Sequence, residues 1–201
     1  MSTGARTYTR FEVAKIGRLS CYKLLTGSVV PRPIAWVTTR SLAGVINAAP
    51  FSQFMIAAYD PPLLAIAVGK DGARKKDTEV NIEATGEFVV NMVPEDAAEI
   101  VQACAAEYPP DISEVEALGL EHLPSVCMAV PRLAMSAIQF ECRVHHMAEL
   151  GNSQLIVGEV VMMHADSRIV DGSDKIKPDA YRTLARLGGR NYLQFGEIVV
   201  A

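Results

Sequence analysis

Cysteine is scarce and scattered. The four in 201 residues, Cys21, Cys104, Cys127 and Cys142, form no CxxC pair, which removes zinc-knuckle and thioredoxin-type spacing. They read as small buried hydrophobes without a disulfide role. No apolar run approaches the roughly 18 residues that a membrane span needs. The start, MSTGARTYTR, is polar with no apolar stretch behind it, so the chain reads as cytoplasmic. Positive charge is thin as well: 19 Lys and Arg against 23 Asp and Glu give a net charge of −4, and ARKK at 73–76 is the one basic cluster. An extended phosphate-backbone footprint is thereby excluded, and nucleic acid is not expected as a partner. GxSxG, HExxH, a P-loop and GxGxxG are all missing, which leaves hydrolase, zincin, kinase and Rossmann readings without a motif. Internal repeats and low-complexity tracts are missing too.

What is present is ordinary globular composition, with half the residues apolar and 21% charged, enough for one substantial core. One domain over residues 1–201 is expected, with its core at about 18–195. RLSCYKLLT (18–26) reads as a short helix stopped by Gly27. VVPRPIAWVTT (29–39) has the β-branched and aromatic content of a strand, with Pro31 and Pro33 confined to an edge or strand start. SLAG turns the chain so that 34–39 and 45–49 pair as a hairpin, with Gly44 at positive φ. LLAIAVG (63–69) and EFVVNMV (87–93) are further strands. KDTEVNIEATG (76–86) reads as a helix with Asp77 as N-cap and Gly86 at its C-terminal left-handed position.

PEDAAEIVQACAAEY (94–108) puts Ala97, Ile100, Val101, Cys104 and Tyr108 on one helical face. Residues 138–149 alternate, with Ile138, Phe140, Cys142, Val144, His146 and Ala148 on one side and Gln139, Glu141, Arg143, His145, Met147 and Glu149 on the other. GNS (151–153) then turns into QLIVGEVVMMH (154–164), apolar on both parities, as a strand in a closed barrel that also meets another subunit would be. A tight turn there sets His145 and His146 near Gly158 and Glu159, and His164 near Phe140. The histidines therefore do not converge on a metal. PDAYRTLARLGG reads as a helix from Pro178 to about Leu187, closed rather than opened by its glycines, with NYLQFGEIVV as a terminal strand. Strands dominate, and the reading is a mainly β fold: an antiparallel barrel with α decorations.

Two stretches invite a ligand. Arg74, Lys75 and Lys76 precede a helix N-terminus, where free N–H groups and the helix dipole favour a phosphate. The plainer alternative is a solvated loop tip, with Asp71, Asp77 and Glu79 supplying opposing charge. VINAAPFSQF (45–54) combines small alanines, Asn47, Pro50 and Ser52, so that a flat ligand could lie against backbone while a hydroxyl meets its polar tail. The alternative there is a strand packed into the core with space-saving alanines. Trp36 and Tyr59 could stack on a ring, although buried aromatics more often belong to a core.

TGSVVPRPIAWVTT, NAAPFSQF, DPPLLAIAVG, KDTEVNIEATGEFVVNMV and LGGRNY, in this order, resemble the flavin reductase-like family of FMN-binding split barrels, nearest to its flavoredoxin-type members. The likeness covers about residues 18–195. It implies a Greek-key split β-barrel, a homodimer, and FMN near the subunit interface. By matching position it implies that Trp36, Val37, Thr38, Asn47, Ala48, Ala49 and Ser52 line the flavin ring and ribityl chain, and that Lys75, Lys76, Asp77, Thr78 and Asn81 form the phosphate end. The implied activity is hydride transfer from NADH or NADPH to flavin, with a monooxygenase or redox protein as a downstream partner. Such a step needs alignment rather than a side-chain acid or base, and no catalytic residue is assigned. Many NADH-using members carry Gly-Asp-His at the hairpin before the GEV strand. Gly151, Asn152 and Ser153 stand here, with serine in place of the histidine, which leaves room for an FMN electron carrier reduced by another protein.

Overall fold

The computed structural model describes residues 6–70, 72 and 74–199. Asp71, to which opposing charge was assigned, and Ala73 of the ARKK cluster lie outside the described residues, as do the first five residues and the end of the terminal strand. In chain order the helices are α1 (Arg18–Ser28), α2 (Asp77–Thr85), α3 (Ala98–Cys104) and α4 (Glu114–Ala117). The strands are β1 (Arg32–Pro33), β2 (Ala35–Arg40), β3 (Ile46–Phe51), β4 (Phe54–Tyr59), β5 (Pro62–Gly69), β6 (Glu87–Met92), β7 (His122–Leu123), β8 (Arg132–Leu133), β9 (Ile138–Leu150), β10 (Ser153–Ala165), β11 (Ala185–Arg186) and β12 (Tyr192–Leu193). No helix among the described residues is long and apolar enough to cross a membrane.

Seven strands form one antiparallel sheet in the order β3-β2-β6-β9-β10-β5-β4. Its two edge strands, β3 and β4, are consecutive in the chain and separated only by Ser52 and Gln53. The sheet thus curls until its edges meet in sequence without a ladder between them, which is a Greek-key split barrel. Ala35, Val37, Phe51, Leu64, Ile66, Val68, Phe88, Val90, Cys142 and Ile156 fill its interior, with Ile82 of α2 added from one end. A second apolar layer outside the barrel joins Trp36 and Ala48 to Val101 and Cys104 of α3, Val115 of α4, Leu133 and Leu184. Adjacent residues of β2 therefore serve two cores, as the period of two requires.

The β2–β3 hairpin forms as expected, with Gly44 at φ 92°. α2 ends as expected at Gly86 (φ 71°), whose N–H donates to Ile82 O at 2.8 Å. Its start differs: Lys76 is the N-cap and Asp77 the first helical residue. Gly27 lies inside α1 rather than ending it; its backbone approaches Gly188 closely enough that a Cβ there would sit 3.4 Å from Gly27 Cα. The 94–108 helix contracts to α3, with Val101 and Cys104 buried and Tyr108 outside it. β4 carries no alternation and was not expected; Met55, Ile56 and Tyr59 on it are exposed.

The proposed 178–187 helix is absent. Thr183 bridges Pro94, Leu184 N–H donates to Val93 O at 3.0 Å, and β11 pairs with β1 and β12. Burial of Leu184 and pairing with the β1 edge outweigh a helical pattern whose isolated stability is marginal. The glycine pair makes a hairpin turn instead, with Leu187 N–H donating to Asn191 O.

The β9–β10 register is one residue off expectation because the loop holds only Gly151 and Asn152: Val157 faces His146 and His164 faces Gln139. A bulge leaves His145 unpaired between Val144 and His146. It reverses the parity beyond it, so Met147 packs on the barrel interior, where strict alternation expected His146 and Ala148. Gly158 opposite is fixed by packing: a Cβ there would meet the Phe88 ring at 2.3 Å. Of the cysteines, Cys104 and Cys142 are buried, whereas Cys21 and Cys127 are only half-buried.

Candidate flavin site

β3 and the start of α2 face one another across a cavity of about 140 Å³ lined by Asn47, Ala49, Pro50, Phe51, Arg74, Lys75, Lys76, Asp77 and Thr78, with the end of α3, Tyr108 and Glu114 opposite. Pro50, Phe51, Lys76 and Ala105 also border a second cavity of about 250 Å³, which Ser52 and Gln53 line as well. Lys76, Gln53 and Ala67 in turn border a wide groove of about 1040 Å³ under α1, which reaches Asn152 and Ser153 at the β9–β10 turn. The small side chains of β3 matter here because they leave main chain close to the cavity surface.

Helix α2 begins without a side-chain cap, since its N-cap is Lys76 and lysine has no acceptor. The N–H groups of its first turn consequently lack an intrahelical partner, and Lys76, Asp77 and Thr78 at that end line the cavity. The cationic cluster is less free than its sequence suggests. Lys75 is exposed and bonded to Glu83, which holds its pKa above the ordinary lysine value, and its Nζ lies 3.6 Å from a wholly buried Glu79 carboxylate. Asp77, Glu107 and Glu114 also line the cavity, as does Arg74, so main-chain donors, Arg74 and Lys76 are what an anion there can meet.

Behind this wall runs a buried polar chain. Glu114, only 5% exposed, accepts from Asn47 Nδ2 at 2.7 Å and from the Ala48 N–H at 3.1 Å. Asn47 Oδ1 accepts from the Thr78 hydroxyl at 2.9 Å and from the Thr39 hydroxyl at 3.3 Å. Asn81 Nδ2 completes the chain by donating to Thr39 Oγ1 at 3.0 Å. Burial raises the pKa of Glu114 against the opposing pull of these hydrogen bonds. Ser113 caps α4 and donates its hydroxyl to Ile46 O, which fixes α4 to β3.

Of the twelve residues singled out from sequence, Asn47, Ala49, Lys75, Lys76, Asp77 and Thr78 line the first cavity and Ser52 the second. Asn81 sits one turn deeper, in the polar chain. Trp36, Val37, Thr38 and Ala48 are fully buried behind that wall, and the Thr38 hydroxyl is already given to Pro131 O at 2.6 Å. Glu114, Thr39, Tyr108 and Arg32 escaped sequence reasoning. Arg32 lines the second cavity and ties Thr26, Val29 and Leu187 carbonyls together while its Nε donates to Ser52 Oγ at 3.4 Å. A signal for Glu114 existed in SEVE at 113–116, a capping serine followed by acidic residues, but nothing local tied it to β3. Burial pushes the Cys104 thiol at the cavity edge up to about 12, so it is a protonated thiol rather than a nucleophile. Among the described residues no three His, Cys, Asp or Glu side chains cluster as metal ligands.

The family described as flavin reductase like domain matches residues 26–182. An uncharacterized protein of Halalkalibacterium halodurans is 42% identical, over 90% of each chain. Among solved structures, nitrilotriacetate monooxygenase component B from Bacillus cereus is 31% identical with a TM-score of 0.93, covering 98% of this chain and 100% of its own. The 2-nitrobenzoate 2-nitroreductase NbaA of Pseudomonas fluorescens is 36% identical with a TM-score of 0.88, covering 96% and 95%. The chain belongs to the flavin reductase-like family, whose flavin-binding split-barrel fold it shares.

Proposed function

We propose that this protein is a single-domain FMN-dependent oxidoreductase that takes hydride from NADH or NADPH and passes reduced flavin or electrons to an acceptor. The observation that carries the reading is the pairing, across one cavity, of a small-residue strand with an uncapped helix start: Asn47, Ala49 and Pro50 face Lys76, Asp77 and Thr78. A ring fits against the first and a phosphate against the second. When bound, FMN supplies the ring nitrogen that accepts hydride. The chain itself binds, aligns and shields: β3 presents backbone to the ring, Ser52 offers a hydroxyl to the polar tail, and the first turn of α2 with Lys76 receives the phosphate. The wide groove under α1 leaves room for a nicotinamide beside this cavity. A homodimer is part of the proposal, supported by exposed Met55, Ile56 and Tyr59 on β4, Leu19 and Leu25 on α1 and Met163 on β10.

The Bacillus cereus relative is a monooxygenase component, which supports a monooxygenase as the consumer of reduced flavin. A second reading, an FMN electron carrier reduced by a partner protein, rests on Ser153. It borders the groove at the position where many NADH-using members carry histidine. An absorption spectrum of protein purified without added flavin, followed by anaerobic NADH and then NADPH, tests both. A two-band flavin spectrum that bleaches promptly with one nucleotide supports the reductase. Bound flavin that stays oxidised with both, but bleaches with a partner reductase, supports the carrier. A chain that takes up no FMN on titration overturns both.

A further inference from the structure

Glu114 is a carboxylate on a four-residue helix outside the barrel, yet it is buried, lines the flavin cavity, and spends both oxygens on two consecutive residues of β3. A carboxylate accepts and does not donate, so the side of Asn47 that faces it must be the amide nitrogen. Asn47 then has only its carbonyl oxygen to turn toward α2 and β2. That oxygen can be met only by donors, so the hydroxyls of Thr78 and Thr39 both spend their protons on it. Thr39, having donated, is free to accept from Asn81 Nδ2, as it does. One acceptor-only group therefore sets the direction of every hydrogen bond in a chain that crosses α4, β3, β2 and α2. Thr78 lines the cavity although only 1% of it is exposed, and with its proton given to Asn47 its hydroxyl has only lone pairs left for a ligand.

We propose that Glu114 is a positioning residue for ligand binding: through Asn47 it fixes the hydrogen-bond polarity of the cavity wall, so that Thr78 Oγ1 receives a donor from the ligand and leaves phosphate oxygens to the α2 main chain and Lys76. The proposal rests on the flavin reading and refines it. Thr78 side chain meets a hydroxyl or N–H of the ligand, not its phosphate.

The polarity can be reversed and then restored without changing shape. In Glu114→Gln, the glutamine carbonyl keeps the Ala48 N–H and its amide faces Asn47, which must flip. Both threonine hydroxyls then become acceptors from Asn47, and the Thr78 proton is released into the cavity. In Asn47→Asp, two carboxylates confront each other. The double variant Glu114→Gln/Asn47→Asp restores every direction, because the new amide donates to the new carboxylate, which again accepts from Thr78 and Thr39. Each apoprotein is titrated with FMN and with riboflavin, recording the bound visible spectrum, alongside a thermal melt.

The expected result is a loss of at least about tenfold in affinity for both flavins in Glu114→Gln, matching one misdirected hydrogen bond pair, with a shifted bound spectrum. The double variant should return to within about threefold of wild type with the wild-type spectrum. Glu114→Gln binding both flavins as wild type does, or a double variant whose melting temperature recovers while flavin affinity does not, overturns the inference and leaves Glu114 as a brace only. Wild-type apoprotein that binds neither flavin overturns the flavin reading itself, a separate result seen before any variant is made.

Discussion

The interior of the barrel and the wall of the proposed flavin cavity are built from opposite materials. Inside the barrel, Phe88 is pressed against Gly158 and Cys142, with Val90, Ile66 and Ile156 around it. In the cavity wall, Glu114, Asn47, Thr39, Thr78 and Asn81 are as well buried but joined by directed hydrogen bonds. Apolar packing is non-directional and scales with area, so the first region supplies stability to whatever shape the strands allow. A buried polar chain contributes modest net stability but fixes orientation, because each unmet group is costly. The lesson is a division of labour: damage to the barrel interior should lower stability with the binding constant of the folded fraction intact, and damage to the wall should do the reverse.

The largest effect is expected from Phe88→Ala, which empties the space that Gly158 leaves. A buried Phe→Ala change costs about 3–5 kcal/mol, to be read by denaturant unfolding. FMN affinity measured on the folded protein should stay within about twofold, and a parallel loss of affinity would break the division. Gly158→Ala approaches the same ring from the other side: its Cβ would lie 2.3 Å from Phe88 Cζ, and overpacking of this kind costs about 1–3 kcal/mol.

A third core element blurs the comparison and so sharpens it. Glu141 on β9 is fully buried, yet it accepts from the N–H groups of Val126 and Cys127 at 2.8 and 2.7 Å and lies 2.6 Å from His164 Nε2. Burial alone would raise its pKa, but these partners together bring it below the ordinary glutamate value of 4.5. A carboxyl whose folded pKa is depressed contributes stability that is present above about pH 4.5 and is lost as pH falls through the folded value. Glu141→Gln should therefore cost on the order of 1–3 kcal/mol at neutral pH, the cost of leaving a buried donor unmet. The gap from wild type should narrow in melts taken progressively below pH 4.5; a gap independent of pH would remove Glu141 from this role. Being polar but remote from the cavity, it should leave FMN affinity unchanged.

Lys75→Ala/Lys76→Ala tests the other end of the cavity. Riboflavin lacks the phosphate, so FMN affinity should fall by about tenfold, as expected for charges near a helix N-terminus, while riboflavin affinity stays put. Within the pair, Lys76→Ala should carry most of the loss, since Lys75 is already committed to Glu83 and Glu79. Equal losses for FMN and riboflavin would count against a phosphate at α2.

The same division explains what could be read from sequence. The β2–β3 hairpin, β5, β6, β9 and β10 were legible because apolar alternation, turn glycines and β-branched runs are local signals, and the ordered blocks carried the family. The 178–187 segment was misread because its extended form depends on Val93, Pro94 and β1, far away in the chain. β4 has no alternation to read, and the parity switch at His145 depends on a bulge that no residue type announces. In the site, Asn47 and the 75–78 stretch were visible as residue types, whereas Glu114 becomes meaningful only once α4 is docked on β3, 66 residues away in sequence from Ala48. Residue type favours Asp77 as the N-cap of α2, but the cap is Lys76, one residue earlier, which leaves the helix start open.

The smallest effect expected is from Ser52→Ala, and it bears on where the two regions meet, at the seam between β3 and β4. Ser52 Oγ accepts from Arg32 Nε at the long distance of 3.4 Å, while the rest of that guanidinium is held by the carbonyls of Thr26, Val29 and Leu187 at 2.6 to 2.9 Å. Arg32 does not depend on the serine for its position, so removing the hydroxyl should change stability by less than about 0.5 kcal/mol, as at an ordinary surface site. Any loss should fall on the ligand: one hydrogen bond, about 0.5–1.5 kcal/mol, equal for FMN and riboflavin if the hydroxyl meets the ribityl chain that both carry. A loss confined to FMN would move Ser52 to the phosphate and make Arg32, behind it, the cation that receives the charge.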